Sequence, residues 1–374
     1  MENQNYSIYS ERLHIFTNKM MLKNNVLHST VIAGILSFSL AACGGGGDTT
    51  TTSGEAATGG ESRLDTVIER GNLICGVNGQ LSGFSFVDQN GEYSGMDVDI
   101  CRAIAAALFD DPSKVEYRDL SAQERFTAVQ SGEVDILSRN TTWTISRDTS
   151  IGMEFAPTTF YDGQGLMATN ASGIQTLEDL EGKSVCILSG TTTEQNLADR
   201  MRKLGVNYNG VVFEDTDAVY AAYEQGRCEA VTSDRSQLVA RKAVLANPDD
   251  HTLLDVVLSK EPLGPLVANG DSEWSDAVKW ITFSLFQAEE FGINSQNIAD
   301  YSETEDPQIS RFLGQEGNLG EDMGLPNDFA ARVVANVGNY GEIYERNIGE
   351  PFGLDRGQNK LWTEGGLLYS PPFR

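Results

Sequence analysis

The sequence predicts an α/β fold of two similar lobes, each a mainly parallel sheet flanked by helices, joined by two hinge strands. Three observations predict it. From residue 63 onward, short apolar runs alternate with amphipathic helical patterns, the signature of parallel pairing. The order strand–helix–strand–helix–strand then occurs twice in succession. Chain length around the copies also leaves room for two crossings, near residues 161–165 and 262–266.

The first copy opens with a helix over 66–70 stopped by Gly71, followed by the apolar strand NLICGV at 72–77. Residues 84–87 and Tyr93 flank an Asn90-Gly91 turn, a hairpin signal. Val98, Cys101, Ile104, Ala105 and Leu108 fall at helical spacing, so 97–109 is an amphipathic helix. A strand at 115–118 precedes a helix over 121–131, which begins with a capping box from Ser121 to Glu124. Gly132 ends that helix, and a strand follows at 134–137. In the second copy, residues 177–180 lead to a strand at 184–188, a helix at 192–204 and a strand at 211–214. A helix at 218–225 ends at Gly226, before a strand at 229–232. GEVD at 132–135 and GRCE at 226–229 occupy the same helix-to-strand turn of their copies. Helices over 275–287 and 329–340 complete the chain. The expected division is 63–161 with 266–374 as lobe 1 and its C-terminal helical extension, and 162–265 as lobe 2. A cleft between lobes is the usual ligand position.

The N-terminal part reads differently. Residues 26–42, VLHSTVIAGILSFSLAA, form an apolar run after Lys19 and Lys23. The run is short and rich in small residues for a membrane span, and reads as the core of a signal peptide over residues 1–42. It ends in Leu40-Ala41-Ala42-Cys43, which resembles the lipobox of bacterial lipoproteins, whose Cys is lipidated and becomes the first mature residue. The alternative is an ordinary secretory peptide cleaved nearby. Residues 1–19 are an unusual preamble, with Met20 or Met21 as the alternative start. Residues 43–62 are Gly/Thr/Ser-rich and read as a flexible tether. Anchor and tether together place a folded domain near a membrane, on its outer side.

Composition narrows the function. The 374 residues carry 54 acidic and 27 basic side chains, a formal charge of −27. That excess argues against nucleic acid and against adhesion to anionic lipid. Of three His, only His251 lies beyond Cys43, which weakens mechanisms that need His as base or metal ligand. Beyond Cys43 the Cys count is even: Cys75, Cys101, Cys186 and Cys228. They read either as two local disulfides, 75 with 101 and 186 with 228, or as buried thiols. No CxxC or Cys/His cluster points to zinc, and no metal or cofactor is expected.

Three features converge on the cleft. DILSRNTTWTISR at 135–147 is a strand end, a polar loop and then Arg147. SGTTTE at 189–194 opens a helix whose backbone N–H groups suit an anion. Arg147 can hold that anion bidentately. CEAVTSD at 228–234 places Asp234 at a strand's C-terminal end, where open α/β sheets bind ligands, and an acid there can receive a cation. Facing anion and cation sites fit the zwitterion of an amino acid. Each feature also has a plain structural reading: a capped helix, a surface Arg beside Asp148, and a cap for the helix after Asp234.

On these stretches, with FYDGQG at 160–165, SKEPLGP at 259–265 and VGNYGEIYERN at 337–347, the chain resembles the substrate-binding proteins of polar amino-acid ABC importers. The narrower resemblance is to the general L-amino-acid group that takes glutamate, glutamine, aspartate and asparagine. It covers roughly residues 63–374 and implies a type II periplasmic-binding-protein fold. It further implies that Arg147 and the Thr192 backbone and hydroxyl hold the α-carboxylate. Asp234, the Asn140 carbonyl and the Thr142 hydroxyl would hold the α-ammonium. Asn78 and Leu81 fall where many relatives have an acid and an aromatic, so a basic side chain loses its partner. A stacking wall then falls to Phe84 or Tyr161. Arg139 and Gln164 are candidates for favouring acidic or amide side chains, and Trp143 for either lining or packing. The implied partners are a polar L-amino acid and a permease in the cytoplasmic membrane, with the protein acting as a monomer. The competing classes are an enzyme on the same scaffold, dehydratase-like, and a ligand sensor for a membrane receptor. A hydrolase would want a Ser/His/Asp set or a carboxylate pair, and the only mature His is far in sequence from every cleft motif.

Overall fold

In a computed structural model, residues 62–374 are described. The signal segment, Cys43 and nearly all of the tether lie outside the described residues. Elements run in the order α1 (Arg63–Arg70), β1 (Leu73–Val77), β2 (Gln80–Leu81), β3 (Ser85–Val87), β4 (Tyr93–Ser94), α2 (Met96–Phe109), β5 (Val115–Asp119), α3 (Arg125–Ser131), β6 (Ile136–Leu137) and β7 (Met153–Phe155). They continue with β8 (Phe160–Thr169), β9 (Ser184–Leu188), α4 (Thr192–Leu204), β10 (Asn209–Phe213), α5 (Thr216–Glu224), β11 (Ala230–Asp234), α6 (Arg235–Ala243), β12 (His251–Leu253), β13 (Lys260–Leu263) and β14 (Leu266–Ala268). The C-terminal part holds α7 (Ser272–Glu290), α8 (Pro307–Phe312), α9 (Phe329–Asn336) and α10 (Tyr340–Tyr344).

The two main sheets share one plan. The first has the order β5-β1-β6-β14-β7 and the second β10-β9-β11-β8-β12. In each, the second, first and third strands of a copy run parallel, then comes an antiparallel strand, then an edge. The sheets are therefore mixed, with the expected parallel core. The antiparallel members β8 and β14 belong to the crossings. The first residues of β8 pair with β13, Phe160 opposite Leu263 through Gly163 opposite Lys260, and the rest of β8 enters the second sheet.

Equivalent turns show why the copies fold alike. Gly132 and Gly226 both take positive φ, 74° and 72°, which Gly adopts without a side-chain penalty. Three residues on, Asp135 accepts the Ile74 N–H through its carboxylate at 2.7 Å, and Glu229 accepts the Ser184 N–H at 2.8 Å. An acid at this turn thus ties the third strand of each copy to the first. Both disulfides are local, Cys75–Cys101 and Cys186–Cys228.

One large apolar cluster joins α2, α7, α9 and α10 to one face of the first sheet. Two clusters cover the two faces of the second sheet. The helix expected over 329–340 is instead two, because Gly338 takes φ 94° and Asn339 caps α10 with a full capping box. The helix expected over 121–131 starts at Arg125, although Ser121 and Glu124 still exchange the capping-box bonds. The C-terminal extension also grips the hinge. Asn359 accepts the Tyr161 N–H at 2.6 Å and donates to the Tyr161 carbonyl at 3.2 Å, while Tyr340 donates to the Thr159 carbonyl at 2.7 Å.

Candidate functional site

A cavity with about 390 Å³ of atom-free space, part of it open to solvent, lies between the two sheets at the C-terminal ends of their parallel strands. It is lined by Asn78 after β1, by Arg139, Asn140, Thr142 and Arg147 after β6, by Thr192 at the start of α4, and by Asp234 at the end of β11. Strand ends on both copies therefore meet at one place, as in other open α/β sheets.

Each lining group is positioned by its local structure. Thr191 caps α4 by accepting the Glu194 N–H, so the N–H groups of the first turn, Thr192 among them, have no partner in their own helix. Capping leaves donors here that suit an anion, since the cap satisfies only one of the free N–H groups. Arg147 is 6 % exposed, not a surface residue. One of its guanidinium nitrogens donates to the Thr142 carbonyl at 2.7 Å, and its plane lies over the Phe126 ring at 5.3 Å. Asp234 occupies the cap position of α6 but makes no cap bond from its side chain. Burial, then the Asp162 and Glu261 carboxylates, push its carboxyl well above the ordinary range. Asn140 takes φ 33°, a left-handed conformation that Asn tolerates, and its N–H donates to the buried Asp97 carboxylate at 2.8 Å. Burial raises Asp97 to about 6.

Several sequence candidates stand elsewhere. Leu81, at 0 % exposure, belongs to the apolar core and does not line the cavity. Gln164 is wholly buried, and its amide donates to the Thr193 carbonyl and the Thr232 hydroxyl at 2.9 and 2.8 Å. It ties β8 to β11 and to the start of α4. Phe84 packs edge-on against Phe160 in the core, and Tyr161 is held by the C-terminal extension, so neither forms a stacking wall. Trp143 stacks on Phe155 outside the cavity. His251 is bonded to the Tyr223 hydroxyl at 2.8 Å, on an edge strand of the second sheet.

Several lining or bridging residues are not evident from the sequence, Arg125 and Glu261 among them. Arg125 is buried at the start of α3 and lines the cavity, donating to the Thr141 hydroxyl and, across to the other copy, to the Gly190 carbonyl, both at 3.3 Å. Its only signal is an Arg one residue after the capping box. Glu261, in the hinge strand β13, is 1 % exposed. It accepts from the Thr142 hydroxyl at 2.6 Å, from the Thr192 hydroxyl at 2.9 Å and from the Asn196 amide at 2.9 Å. It thus bridges the two copies. A buried carboxylate in SKEPLGP carries no local signal of that role. Among the described residues, no group of His, Cys, Asp and Glu is placed to hold a metal ion.

Comparison with known proteins gives a family. Residues 73–292 match the model of the bacterial extracellular solute-binding proteins, family 3. The chain is similar to the general L-amino acid-binding periplasmic protein AapJ of Rhizobium johnstonii, 46 % identical over 357 residues, covering 94 % of this chain and 100 % of that one. It is also 46 % identical over 322 residues to the glutamate/glutamine/aspartate/asparagine-binding protein BztA of Rhodobacter capsulatus, covering 85 % of this chain and 95 % of that one. A solved periplasmic binding protein of an ABC transporter from Brucella ovis, with glutathione bound, superposes with a TM-score of 0.82 at 48 % identity. It covers 84 % of this chain and 100 % of that one.

Proposed function

We propose a function from one premise, that this chain belongs to family 3 of the bacterial extracellular solute-binding proteins: it captures a polar L-amino acid between its lobes and delivers it to an ABC permease. The observation that carries this reading is one cavity whose wall brings together a buried guanidinium, the first N–H groups of α4 and a buried carboxylate. Arg147 and the Thr192 N–H hold the α-carboxylate, and Asp234, the Asn140 carbonyl and the Thr142 hydroxyl hold the α-ammonium. The lobes, 63–161 with 266–374 and 162–265, close over the ligand as in other periplasmic binding proteins, the two crossings absorbing the change. Lipidation of Cys43 and the 43–62 tether keep the domain beside the membrane; a Cys43→Ser chain released into the soluble fraction supports this.

The test is a thermal-shift screen of the twenty L-amino acids. Stabilisation by polar members supports the reading, and none by any of them sinks it. Arg147→Ala and Asp234→Ala each abolish the shift while leaving the circular dichroism spectrum unchanged; normal binding by either variant overturns the assignment. Product formed on incubation favours the enzyme class.

A further inference from the structure

Helix α6 begins with an acid that does not cap it. Asp234 stands in the cap position with non-helical backbone, ψ 141°, yet its carboxylate accepts no N–H of its own helix. The same residue type in the same place does so elsewhere in the chain. Asp215, with ψ 137°, accepts the Ala218 N–H at 2.8 Å. Asp306, with ψ 114°, accepts those of Gln308 and Ile309 at 2.8 and 3.3 Å. A cap acid ordinarily turns back onto the first turn, because the N–H groups there have no partner within the helix.

At α6 a residue from another element takes that place. The Asp162 carboxylate, in β8, accepts the Ser236 N–H at 3.2 Å and the Ser236 hydroxyl through the same oxygen. Its other oxygen accepts the Gly163 N–H at 2.7 Å. Close packing of α6 on β8 makes this reach possible: a Cβ at Gly165 would come within 2.9 Å of the Arg235 side chain. Burial raises the Asp162 carboxyl, while the Ser236 hydroxyl and the two N–H groups draw it back down, so these bonds favour its ionised form. Asp162 also stands directly opposite Glu261 in the β8–β13 pair. Two acids so placed repel, and the bonds to α6 offset that repulsion.

We propose that Asp162 is a positioning residue for recognition of the ligand's ammonium group: by capping α6 from β8, it leaves the Asp234 carboxylate unclaimed by its own helix and available to the cavity. Asp234 lines that cavity and is 6 % exposed. This rests on the reading of Asp234 as the ammonium acceptor. Without Asp162, the Ser236 and Gln237 N–H groups offer Asp234 two donors in its own first turn. A carboxylate that turns to them is lost to the ligand.

The experiment compares two pairs of compounds by calorimetry on the full chain: L-glutamine with 4-carbamoylbutanoate, and L-glutamate with glutarate. The second of each pair lacks only the ammonium group. In Asp162→Ala the preference for the amino compound falls about tenfold, the loss of about one charge-assisted hydrogen bond. Asp162→Asn, which keeps an acceptor for Ser236, restores the preference. A merely structural role would weaken both members of a pair alike. In the crystal structure of ligand-free Asp162→Ala, the Asp234 carboxylate accepts the Ser236 or Gln237 N–H. Asp162→Val, a strand former without an acceptor, takes the same tests if the alanine variant does not fold. An unchanged preference, or an Asp234 side chain that has not moved, overturns the proposal. So does loss of the preference in folded Asp162→Asn, which would assign the effect to charge and not to the cap. A wild-type chain that binds neither L-glutamine nor L-glutamate counts against the amino-acid reading, and the crystal structure then decides the positioning of Asp234 by itself.

Discussion

At the scale of single residues, the site is a balance of buried charge. Arg125, Arg139 and Arg147 are all buried on the cavity wall, and the first and last both lie over the Phe126 ring, at 4.8 and 5.3 Å. Burial and mutual repulsion lower Arg125 well below its usual value. Asp234 lines the same cavity, its carboxyl pushed well above the ordinary range by burial and by Asp162 and Glu261. An ammonium ion favours the ionised carboxylate, so ligand binding pulls its pKa down and expels a proton. Affinity therefore rises with pH, because the unliganded protein holds more protons than the complex. Calorimetry in two buffers of different ionisation heat reads the released proton directly; proton uptake, or affinity falling as pH rises, would count against Asp234 as the ammonium acceptor. Asn140 gives a second residue-scale expectation. Its left-handed φ costs a residue with an ordinary Cβ about 1 kcal/mol, a cost that Gly avoids. Asn140→Ala lowers stability by that amount in urea unfolding, whereas Asn140→Gly keeps both fold and binding, since only the carbonyl is needed. Loss of binding in the Gly variant would shift the role to the side chain.

At the scale of elements, function follows from strand ends. Each copy brings its parallel strands to the cleft by the same turn, in which Asp135 or Glu229 closes the N–H of the first strand. The disulfides reinforce the same units, one across β1 and α2 and one across β9 and the turn before β11. Their sequence separations of 26 and 42 residues place each cross-link's stabilisation at about 3–4 kcal/mol, in the chain-entropy account. Cys186→Ser with Cys228→Ser accordingly lowers the denaturant midpoint, while ligand binding survives because neither Cys lines the cavity. An unchanged midpoint would show that these sulfurs act only as buried apolar groups. The hinge is an element in the same sense. Its β8–β13 pair is short, and Asn359 fixes the backbone of Tyr161 within it.

For the whole molecule, the question is what holds the two lobes together. Among the described residues, contacts that cross the cleft include those of Gln80 with Asp215, Asp217 and Arg241, Gln123 to Ser189, Arg125 to the Gly190 carbonyl, and the Thr142–Glu261–Thr192 bridge. Only the last sits at the hinge and next to the ligand cavity. A carboxylate there uses both threonine protons, leaving lone pairs to face an ammonium. Glu261→Gln keeps the shape but cannot accept from both hydroxyls and from Asn196 and Ser259 as well. Its expected effect is about tenfold weaker binding, in line with the loss of about one charge-assisted hydrogen bond. The off-rate rises, and the radius of gyration of the unliganded protein shifts toward the open form. Wild-type affinity with wild-type scattering would remove Glu261 from the closure.

Much of this molecule is legible in its sequence alone. Period and punctuation, such as the run from Ser184 to Leu188 or the glycines at 132 and 226, locate the strands and turns because backbone geometry restricts which residues serve there. The place of Arg147, Thr192 and Asp234 on the cavity wall is legible too, because they stand at strand ends of open α/β sheets. Leu81 and Gln164 sit near those ends yet turn into the protein interior, and a one-dimensional pattern does not say which way a side chain turns. Arg125 and Glu261 are hidden for the opposite reason: a charged residue in a helix start or a strand reads as solvated unless something buries it. What buries them is the meeting of two lobes separated by a long stretch of chain, and only the tertiary structure contains that meeting. Local backbone preferences are encoded residue by residue, whereas the desolvation that turns a common Glu or Arg into a functional group depends on every neighbour the fold brings to it.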